Sequence, residues 1–128
     1  MVRQAIDAIN RGDIRWVMEQ QADDDFEMDW SNSIGPLNGV YRGRGQVSEV
    51  WESFLEAWDE LQWDVQDVID LDTQRVLVVN RVRMRGRASR VDVEATGAQI
   101  WTIRNATLGS VKLYQSKAEA LEAVGLSE

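Results

Sequence analysis

Asp29 is the residue whose type and position in this sequence best suit catalysis. It lies in the segment FEMDW, residues 26 to 30, directly before a run of turn-forming residues. A carboxylate there can act as a general base, provided that partial burial raises its pKa towards neutral pH. The other interpretation is structural, because an acid at a strand end also serves as a solvated side chain or as a cap for the following loop. We favour the structural interpretation slightly, since polar residues near turns are usually solvated.

Composition limits which other groups can take part in chemistry. The 128 residues include no cysteine and no histidine, which excludes a thiolate nucleophile and removes the commonest metal ligand and general base. We therefore expect no metal and no cofactor. A net charge of −8 repels phosphate backbones and anionic lipids, so neither nucleic acid nor a membrane is an expected partner.

Length and hydropathy indicate one domain over residues 1–128. No apolar run approaches the length of a membrane span, and the amphipathic N-terminal segment MVRQAIDAINRGDIRW does not resemble a signal peptide. We expect a cytoplasmic protein whose apolar content can build a packed core or a core with a cavity.

The apolar periodicity predicts the secondary-structure elements that must position Asp29. Two short helices in an elbow are followed by a strand at DFEMDW, a loop over 31–43, a long helix, a strand-rich half and a last helix that begins near Ser116. The long helix is predicted from Gly45 through Trp58 to Leu61, because apolar residues repeat there at spacings of three and four. The predicted strands are 63–72, 74–86, 90–104 and 107–115, and the apolar contacts of the last helix are Leu121, Val124 and Leu126.

The hairpin of residues 74–104 allows a register to be predicted. A turn centred on Ala88 and Ser89 places Arg85 opposite Asp92 and Arg83 opposite Glu94, and the same register pairs Val78 with Gln99 and Val76 with Trp101. Because charge pairing and apolar pairing agree in one register, the prediction is well determined. We interpret the row of Arg81, Arg83 and Arg85 as a solvated or dimer-facing surface.

Two amides, Asn80 and Gln99, remain on the otherwise apolar face of this hairpin. Buried amides need hydrogen-bond partners, so they indicate either a cavity that holds water or a ligand, or bonds to each other and to neighbouring backbone. The sequence leaves both interpretations open.

Four stretches together resemble the SnoaL-like branch of the nuclear-transport-factor-two-like superfamily, which includes ketosteroid isomerase and limonene epoxide hydrolase. They are AINRGDIRWV, FEMDW, YRGRGQVSEVWESFLEAW, and WTIRN through LYQSKAEALEAVGL. The resemblance implies an α+β, cystatin-like fold in which a cone-shaped, curved antiparallel sheet carries helices on its concave face. It also implies a deep pocket between sheet and helices, and a homodimer formed through the sheet.

The resemblance also implies roles for individual residues. Asp29 falls where the isomerases carry their general base, and Gln99 falls where they carry the protonated aspartate of the oxyanion hole. A glutamine amide also donates hydrogen bonds, so Gln99 can serve as such a donor. The isomerase tyrosine would lie near Ala5 or Ile6, where this chain has no hydroxyl, and Tyr41 could supply one from the loop.

Two other known sites of the family are incomplete in this sequence. The cyclases often use a histidine, which is absent, and the epoxide hydrolases use an Asp-Arg-Asp relay, whereas the arginines here point outward in the predicted register.

Three hypotheses about function follow. The first is a small isomerase, cyclase or hydrolase that acts on an apolar, carbonyl-bearing or polycyclic molecule, with Asp29 as base and with Gln99 and Asn80 orienting an oxygen. The second is a binding module with the same pocket and no turnover, and the third is assembly through the sheet alone. In both pocket hypotheses the ligand is a small hydrophobic molecule, and the walls are Trp30, Tyr41, Trp51, Phe54 and Trp101.

Overall fold

A computed structural model describes residues 1–31 and 39–125. It contains α1 (Val2–Asn10), α2 (Ile14–Gln20), β1 (Ala22–Asp29), β2 (Val40–Arg42), α3 (Arg44–Leu55), β3 (Trp58–Asp70), β4 (Arg75–Gly86), β5 (Asp92–Arg104), β6 (Thr107–Tyr114) and α4 (Lys117–Ala123).

The N-terminal elbow forms as the sequence predicts. Gly12 turns the chain with φ of +76°, in the left-handed region that glycine adopts without strain. Asp13 then caps α2 by accepting a hydrogen bond from the backbone N–H of Trp16 at 3.2 Å. The apolar faces of both helices are buried.

The strands form one curved, six-stranded sheet in the order β2-β1-β6-β5-β4-β3. The predicted α+β class and curved sheet are confirmed, with one correction. Strands β1 and β6 pair in parallel, so the sheet is mixed and not purely antiparallel. The sequence pattern could not reveal this pair, because its members lie at opposite ends of the chain and alternation does not encode strand direction.

The predicted register of the β4–β5 hairpin is confirmed. Arg85 lies opposite Asp92, Arg83 opposite Glu94, and Val78 opposite Gln99. Val76 and Trp101 also pair as predicted. A one-residue slip would have exchanged the apolar and charged faces, so the pattern specifies this register strongly.

The two faces of the sheet have different partners. The inner face, which includes Val78 and Trp101, packs with the apolar sides of α1, α2 and α3 in the larger core. The outer face, which includes Leu77 and Ile100, packs with Ala120 of α4 in a second, smaller core. The last helix therefore covers the opposite side of the sheet from the first three. Ser116, near which the sequence predicts this helix to begin, caps it, because its Oγ accepts from the backbone N–H of Glu119 at 3.1 Å.

The predicted long helix is too long. Helix α3 ends at Leu55, and both Trp58 and Leu61 belong to β3. Apolar spacings of three and four fit both the end of a helix and a strand with a β-bulge. The pairing of β3 with β4 has such an irregularity, a register shift between Trp58 and Glu60.

The loop predicted over 31–43 is also corrected in part, because Val40–Arg42 forms strand β2 against β1. Residues 32–38 of that loop, and the predicted contact of Leu126, lie outside the described residues. Within the described ranges, no helix has the length and apolar character needed to cross a membrane.

Candidate functional site

A cavity of about 430 Å³ lies between α3, the first half of β3 and the inner face of β4, β5 and β6. Its aromatic lining residues are Trp30, Trp51, Phe54, Trp58, Trp63 and Tyr114. Its other lining residues are Leu61, Val82, Met84, Ala95, Thr96, Gly97, Ala98, Gln99, Leu113 and Gln115. We call this space the aromatic cavity. Its volume lies in the range of small-molecule sites.

The aromatic wall is one connected cluster. The Trp51 ring centroid lies 5.5 Å from those of Trp30 and Phe54, and 5.7 Å from that of Trp63 at an interplanar angle of 85°. Phe54 also contacts Trp58, with centroids 6.0 Å apart. Tilted and edge-on arrangements at these distances are the favourable ones for aromatic pairs. Trp51 and Phe54 reach the cluster together because they are three residues apart on one face of α3.

Asn10, the last residue of α1, fixes the position of Trp63. Its Nδ2 donates to the Trp63 carbonyl at 3.0 Å, and the Trp63 N–H donates to its Oδ1 at 2.8 Å. Strand β3 is an edge strand, so this amide supplies the two hydrogen bonds that a neighbouring strand would otherwise make. The helical elbow thereby helps to hold one wall of the cavity.

Asn80 and Gln99 form a buried amide pair at the inner face. Asn80 is 0% and Gln99 2% exposed, and the Gln99 Nε2 donates to the Asn80 Oδ1 at 2.8 Å. This confirms the interpretation that the two amides bond to each other, and Gln99 also lines the cavity. Among the described residues, the Gln99 Oε1 and the Asn80 Nδ2 have no hydrogen-bond partner. The pair therefore satisfies only part of its hydrogen-bonding capacity.

The cavity wall is neutral. Within the described part of the chain, its lining contains no aspartate, glutamate, lysine or arginine. Such a wall cannot supply a carboxylate base or compensate a charged ligand with an opposite charge.

Asp29 lies on the face of β1 that is opposite to Met28, as the alternation predicts, and it does not line the cavity. Its Oδ1 accepts from the N–H of Ser31 at 2.8 Å and from the Ser31 Oγ at 2.6 Å. The Nζ of Lys112, on the parallel neighbour β6, lies 3.7 Å from its Oδ2. The carboxylate thus caps a turn and forms an ion pair.

These contacts change the pKa of Asp29 in the direction that disfavours a base. Burial alone raises the pKa, but the hydrogen bonds from Ser31 and the charge of Lys112 together outweigh it and lower the pKa below its ordinary value. A general base near neutral pH needs the opposite shift.

The structure brings together four of the eight predicted site residues, since Trp30, Trp51, Phe54 and Gln99 all line the cavity. Asn80 contacts the cavity through Gln99. Trp101 is buried in the larger core, and Tyr41 packs at the edge of that core.

Sequence reasoning missed most of the strand-borne part of the wall. The predicted long helix includes Trp58 and Leu61. Val82, Met84 and Gly97 lie on the inner face that the predicted hairpin register already identifies. The register was the signal that could have found them. Trp63 depends on the edge position of β3, which the sequence does not encode.

The arginine row lies on the outer face, as predicted. Arg83 Nε lies 2.8 Å from Asp64 Oδ2 on β3, and Arg85 Nε lies 2.7 Å from Asp92 Oδ1. Although Arg83 is opposite Glu94 in register, its side chain turns to the other neighbouring strand. These ion pairs are solvent-exposed and belong to a surface remote from the cavity lining.

Comparison with known proteins gives one family and many similar folds. The SnoaL-like domain family model matches residues 2–108. No curated protein matches the chain.

Three solved structures illustrate the similarity of fold. A protein with a ketosteroid isomerase-like fold from Catenulispora acidiphila, in complex with trimethylamine, has a TM-score of 0.77 at 13% identity, covering 98% of this chain and 92% of that one. TerC, co-crystallised with polyporic acid, has a TM-score of 0.76 at 13% identity, covering 97% and 95%. An NTF2-like protein of unknown function from Burkholderia pseudomallei has a TM-score of 0.73 at 18% identity, covering 94% and 92%. At these identities the similarity establishes the fold alone.

Proposed function

The chain belongs to the SnoaL-like domain family, and we propose that it binds a small, largely apolar molecule in the aromatic cavity. The observation that carries this proposal is the cavity itself. The cavity has a volume of about 430 Å³ and is lined by a connected aromatic cluster and by Gln99, whose amide makes only part of its possible hydrogen bonds. Small-molecule sites typically combine a mostly apolar wall with a few polar groups that fix the ligand's orientation.

Each part of the cavity has a role in the proposal. Trp30, Trp51 and Phe54 provide flat apolar surfaces against which a planar ligand packs. Gln99 provides the polar contact, and Asn80 behind it holds the amide in place through their 2.8 Å hydrogen bond. Two structural neighbours, the one in complex with trimethylamine and TerC with polyporic acid, were solved with small organic molecules, which supports the proposal by analogy.

We propose that the protein binds its ligand in this cavity without catalysing a reaction. Proton transfer requires an acid or base within hydrogen-bond reach of the reacting atom. The lining that the structure describes offers no carboxylate, and Asp29 is engaged by Ser31 and Lys112. The base role of Asp29 stays a prediction that its surroundings disfavour.

A cavity-filling variant tests the proposal. Gly97 lines the cavity in an extended strand, and a Cβ added there would lie 3.5 Å from the Asn80 Oδ1, an ordinary contact distance. A Cβ at residue 97 therefore fits without a clash, and the methyl groups of Gly97→Val should take up cavity space. Val is also a favourable residue in a strand.

The measurement is isothermal titration and thermal unfolding with 2-methoxynaphthalene as a neutral, flat probe. The wild type should bind it and unfold at a higher temperature in its presence, whereas Gly97→Val should remain folded and lose binding by at least about tenfold. Arg83→Ala, on the outer face of the same sheet, is the matched control and should bind like the wild type. Equal binding by Gly97→Val and the wild type would show that the probe binds elsewhere and would refute the proposal.

A further inference from the structure

A second, smaller space lies between α2 and α3, with a volume of about 230 Å³. It shares no lining residue with the aromatic cavity. Its lining includes Arg15 and Glu19 of α2 and Arg44, Gly45, Ser48 and Glu49 of α3. We call this space the polar groove. It combines charged side chains with the first turn of a helix, so its chemistry differs from that of the neutral cavity.

The first turn of α3 supplies a hydrogen-bond donor for an anionic group. The hydrogen bond that begins the helix runs from the Val47 N–H to the Gly43 carbonyl at 3.0 Å, so the N–H of Gly45 has no partner within the helix. The N-cap, Gly43, forms no side-chain cap. A Cβ added at Gly45 would meet nothing outside its own helical turn within 4 Å, so a ligand has room to approach this backbone. A carboxylate there is stabilised by the free N–H and by the helix dipole.

Ser48 is a second donor in the polar groove. It lies three residues after Gly45, on the same face of α3, and it is 5% exposed. Among the described residues its hydroxyl has no hydrogen-bond partner, and its oxygen is not fully buried. Because Ser48 lines the polar groove, the hydroxyl opens into this space. A largely buried hydroxyl of this kind needs a partner from solvent or from a ligand.

The two arginines of the polar groove are neutralised by other residues. Arg15 forms a two-point ion pair with Glu52, in which Nε lies 2.7 Å from Oε1 and Nη2 lies 3.3 Å from Oε2. The Nη1 of Arg44 lies 3.0 Å from the Asp24 Oδ1, and its Nη2 donates to the Ala22 carbonyl at 2.7 Å. These guanidinium groups therefore do not require an anionic ligand to balance their charge.

Glu19 and Glu49 hold the unpaired charges of the polar groove. In the described part of the chain, neither carboxylate has an ion-pair partner or a hydrogen-bond donor. They attract a cationic group and repel a ligand that is only an anion. Among the described residues, no three acidic side chains are grouped so as to hold a metal ion, which favours an organic cation. The groove thus has a donor end at the start of α3 and an acidic end at the two glutamates.

We propose that the polar groove binds a small zwitterion, namely an α-amino acid with a small side chain. Its carboxylate accepts from the Gly45 N–H and the Ser48 hydroxyl, and its ammonium group pairs with Glu19 and Glu49. An anion alone would leave the glutamates unpaired, and a cation alone would leave the start of α3 without an acceptor, whereas a zwitterion satisfies both ends. This site does not depend on the proposed function of the aromatic cavity.

The test uses three probes with one carbon skeleton at slightly acidic pH. They are L-alanine, which is a zwitterion, L-alaninamide, which is a cation, and propionate, which is an anion. Heteronuclear NMR titration of the whole chain follows the backbone amide signals of Gly45 and Ser48. The variants are Ser48→Ala and the double variant Glu19→Gln/Glu49→Gln. The control is Glu56→Gln, which removes an exposed acid after the other end of α3.

L-alanine should bind the wild type about tenfold more tightly than either single-charge probe, because it alone pairs at both ends. The double variant and Ser48→Ala should each bind L-alanine about tenfold more weakly, and Glu56→Gln should bind it like the wild type. Both substitutions keep the side chain close to its original size, and the NMR spectrum of each variant shows whether it is folded.

Three results would overturn the inference. They are the absence of signal shifts at Gly45 and Ser48 with L-alanine, equal affinities for L-alanine and either single-charge probe, and unchanged binding of L-alanine by the double variant. Because the groove and the aromatic cavity share no lining residue, every one of these variants should bind 2-methoxynaphthalene like the wild type. Failure at the groove is therefore distinguishable from failure at the cavity.

Discussion

The inner and outer faces of the β4–β5 hairpin are built from alternating residues of the same two strands, yet they obey different energetics. On the inner face Asn80 and Gln99 share one hydrogen bond among apolar and aromatic side chains, and both residues are buried. On the outer face Arg81, Arg83 and Arg85 form ion pairs with acids of the neighbouring strands, at side-chain exposures of 40% or more.

Polar residues on the two faces should contribute unequally to the free energy of unfolding. An exposed ion pair exchanges hydration for attraction at almost equal free energy, so removing it costs little. A buried amide that loses its partner cannot recover that bond from water, so the cost is large even though no charge is involved. The neutral face should therefore be the sensitive one, although the charged face has more polar contacts. Four experiments test whether the two faces differ in this way.

The largest effect should come from the aromatic wall of the inner face. Trp51 is 0% exposed and contacts three other aromatic rings, so Trp51→Ala should lower the free energy of unfolding by about 3–5 kcal/mol. Urea denaturation measures this. Trp16→Ala, which removes the same side chain from a partly buried position, is the control and should cost clearly less. Similar losses in both variants would show that the cavity wall is not specially packed.

The amide pair should show strong coupling. Gln99→Leu and Asn80→Leu should each lower the free energy of unfolding by about 1–3 kcal/mol, because each leaves a buried amide unpaired. The double variant should lose much less than the sum of the two, since no partner is left behind. A double-mutant cycle in urea measures the coupling, and additive losses would contradict the buried-pair interpretation.

Asp29 should contribute a smaller, pH-dependent amount. Its folded-state pKa lies below the ordinary value of 3.8, so its stabilisation is present above that pH and is lost as pH falls through the folded pKa. Asp29→Asn should cost about 1 kcal/mol at pH 7 and flatten the stability curve below about pH 4.

Denaturation of Asp29→Asn between pH 2 and 7 checks this, with the exposed Asp25→Asn on the same strand as control. Binding of 2-methoxynaphthalene should be unchanged in Asp29→Asn, because the residue lies outside the cavity lining. Loss of binding in Asp29→Asn but not in Asp25→Asn would show that Asp29 contributes to the binding site.

The smallest effect should come from the outer face. The Arg83 and Asp64 side chains are 55% and 41% exposed, so Arg83→Ala and Asp64→Ala should each change the free energy of unfolding by less than about 1 kcal/mol. Their coupling should fall further in 0.5 M salt, where screening is strong. If the coupling energy between Arg83 and Asp64 were as large as that between Asn80 and Gln99, the two faces would not differ in the energetics of their polar pairs.

The sequence predicted those features that depend on neighbours in the chain. The register of Arg85 with Asp92 and of Val78 with Gln99 is confirmed because charge and apolar alternation agreed over a short hairpin. The last helix begins after Ser116, as predicted, and Ser116 caps it. The side of the strand on which Asp29 lies also follows from alternation alone.

The parts that could not be predicted depend on long-range pairing. Trp58 fits the helical apolar repeat of the preceding segment, but in the structure it belongs to β3, which pairs with β4. Lys112 reaches Asp29 only because β1 and β6 pair in parallel, and Asn10 reaches Trp63 across 53 residues. No local pattern carries that information.

The order of residue types specifies the apolar positions, the alternation along the strands and the opposed charges, and these were enough to predict the family, the fold class and the two faces of the hairpin. The tertiary structure supplies the partners of each polar group. It gave Asp29 a serine and a lysine that lower its pKa, and it gave Gln99 one amide partner and one unpaired oxygen at a neutral cavity. The pKa of a carboxylate and the unsatisfied hydrogen-bonding capacity of an amide depend on groups within a few ångströms. Those groups come from distant parts of the chain.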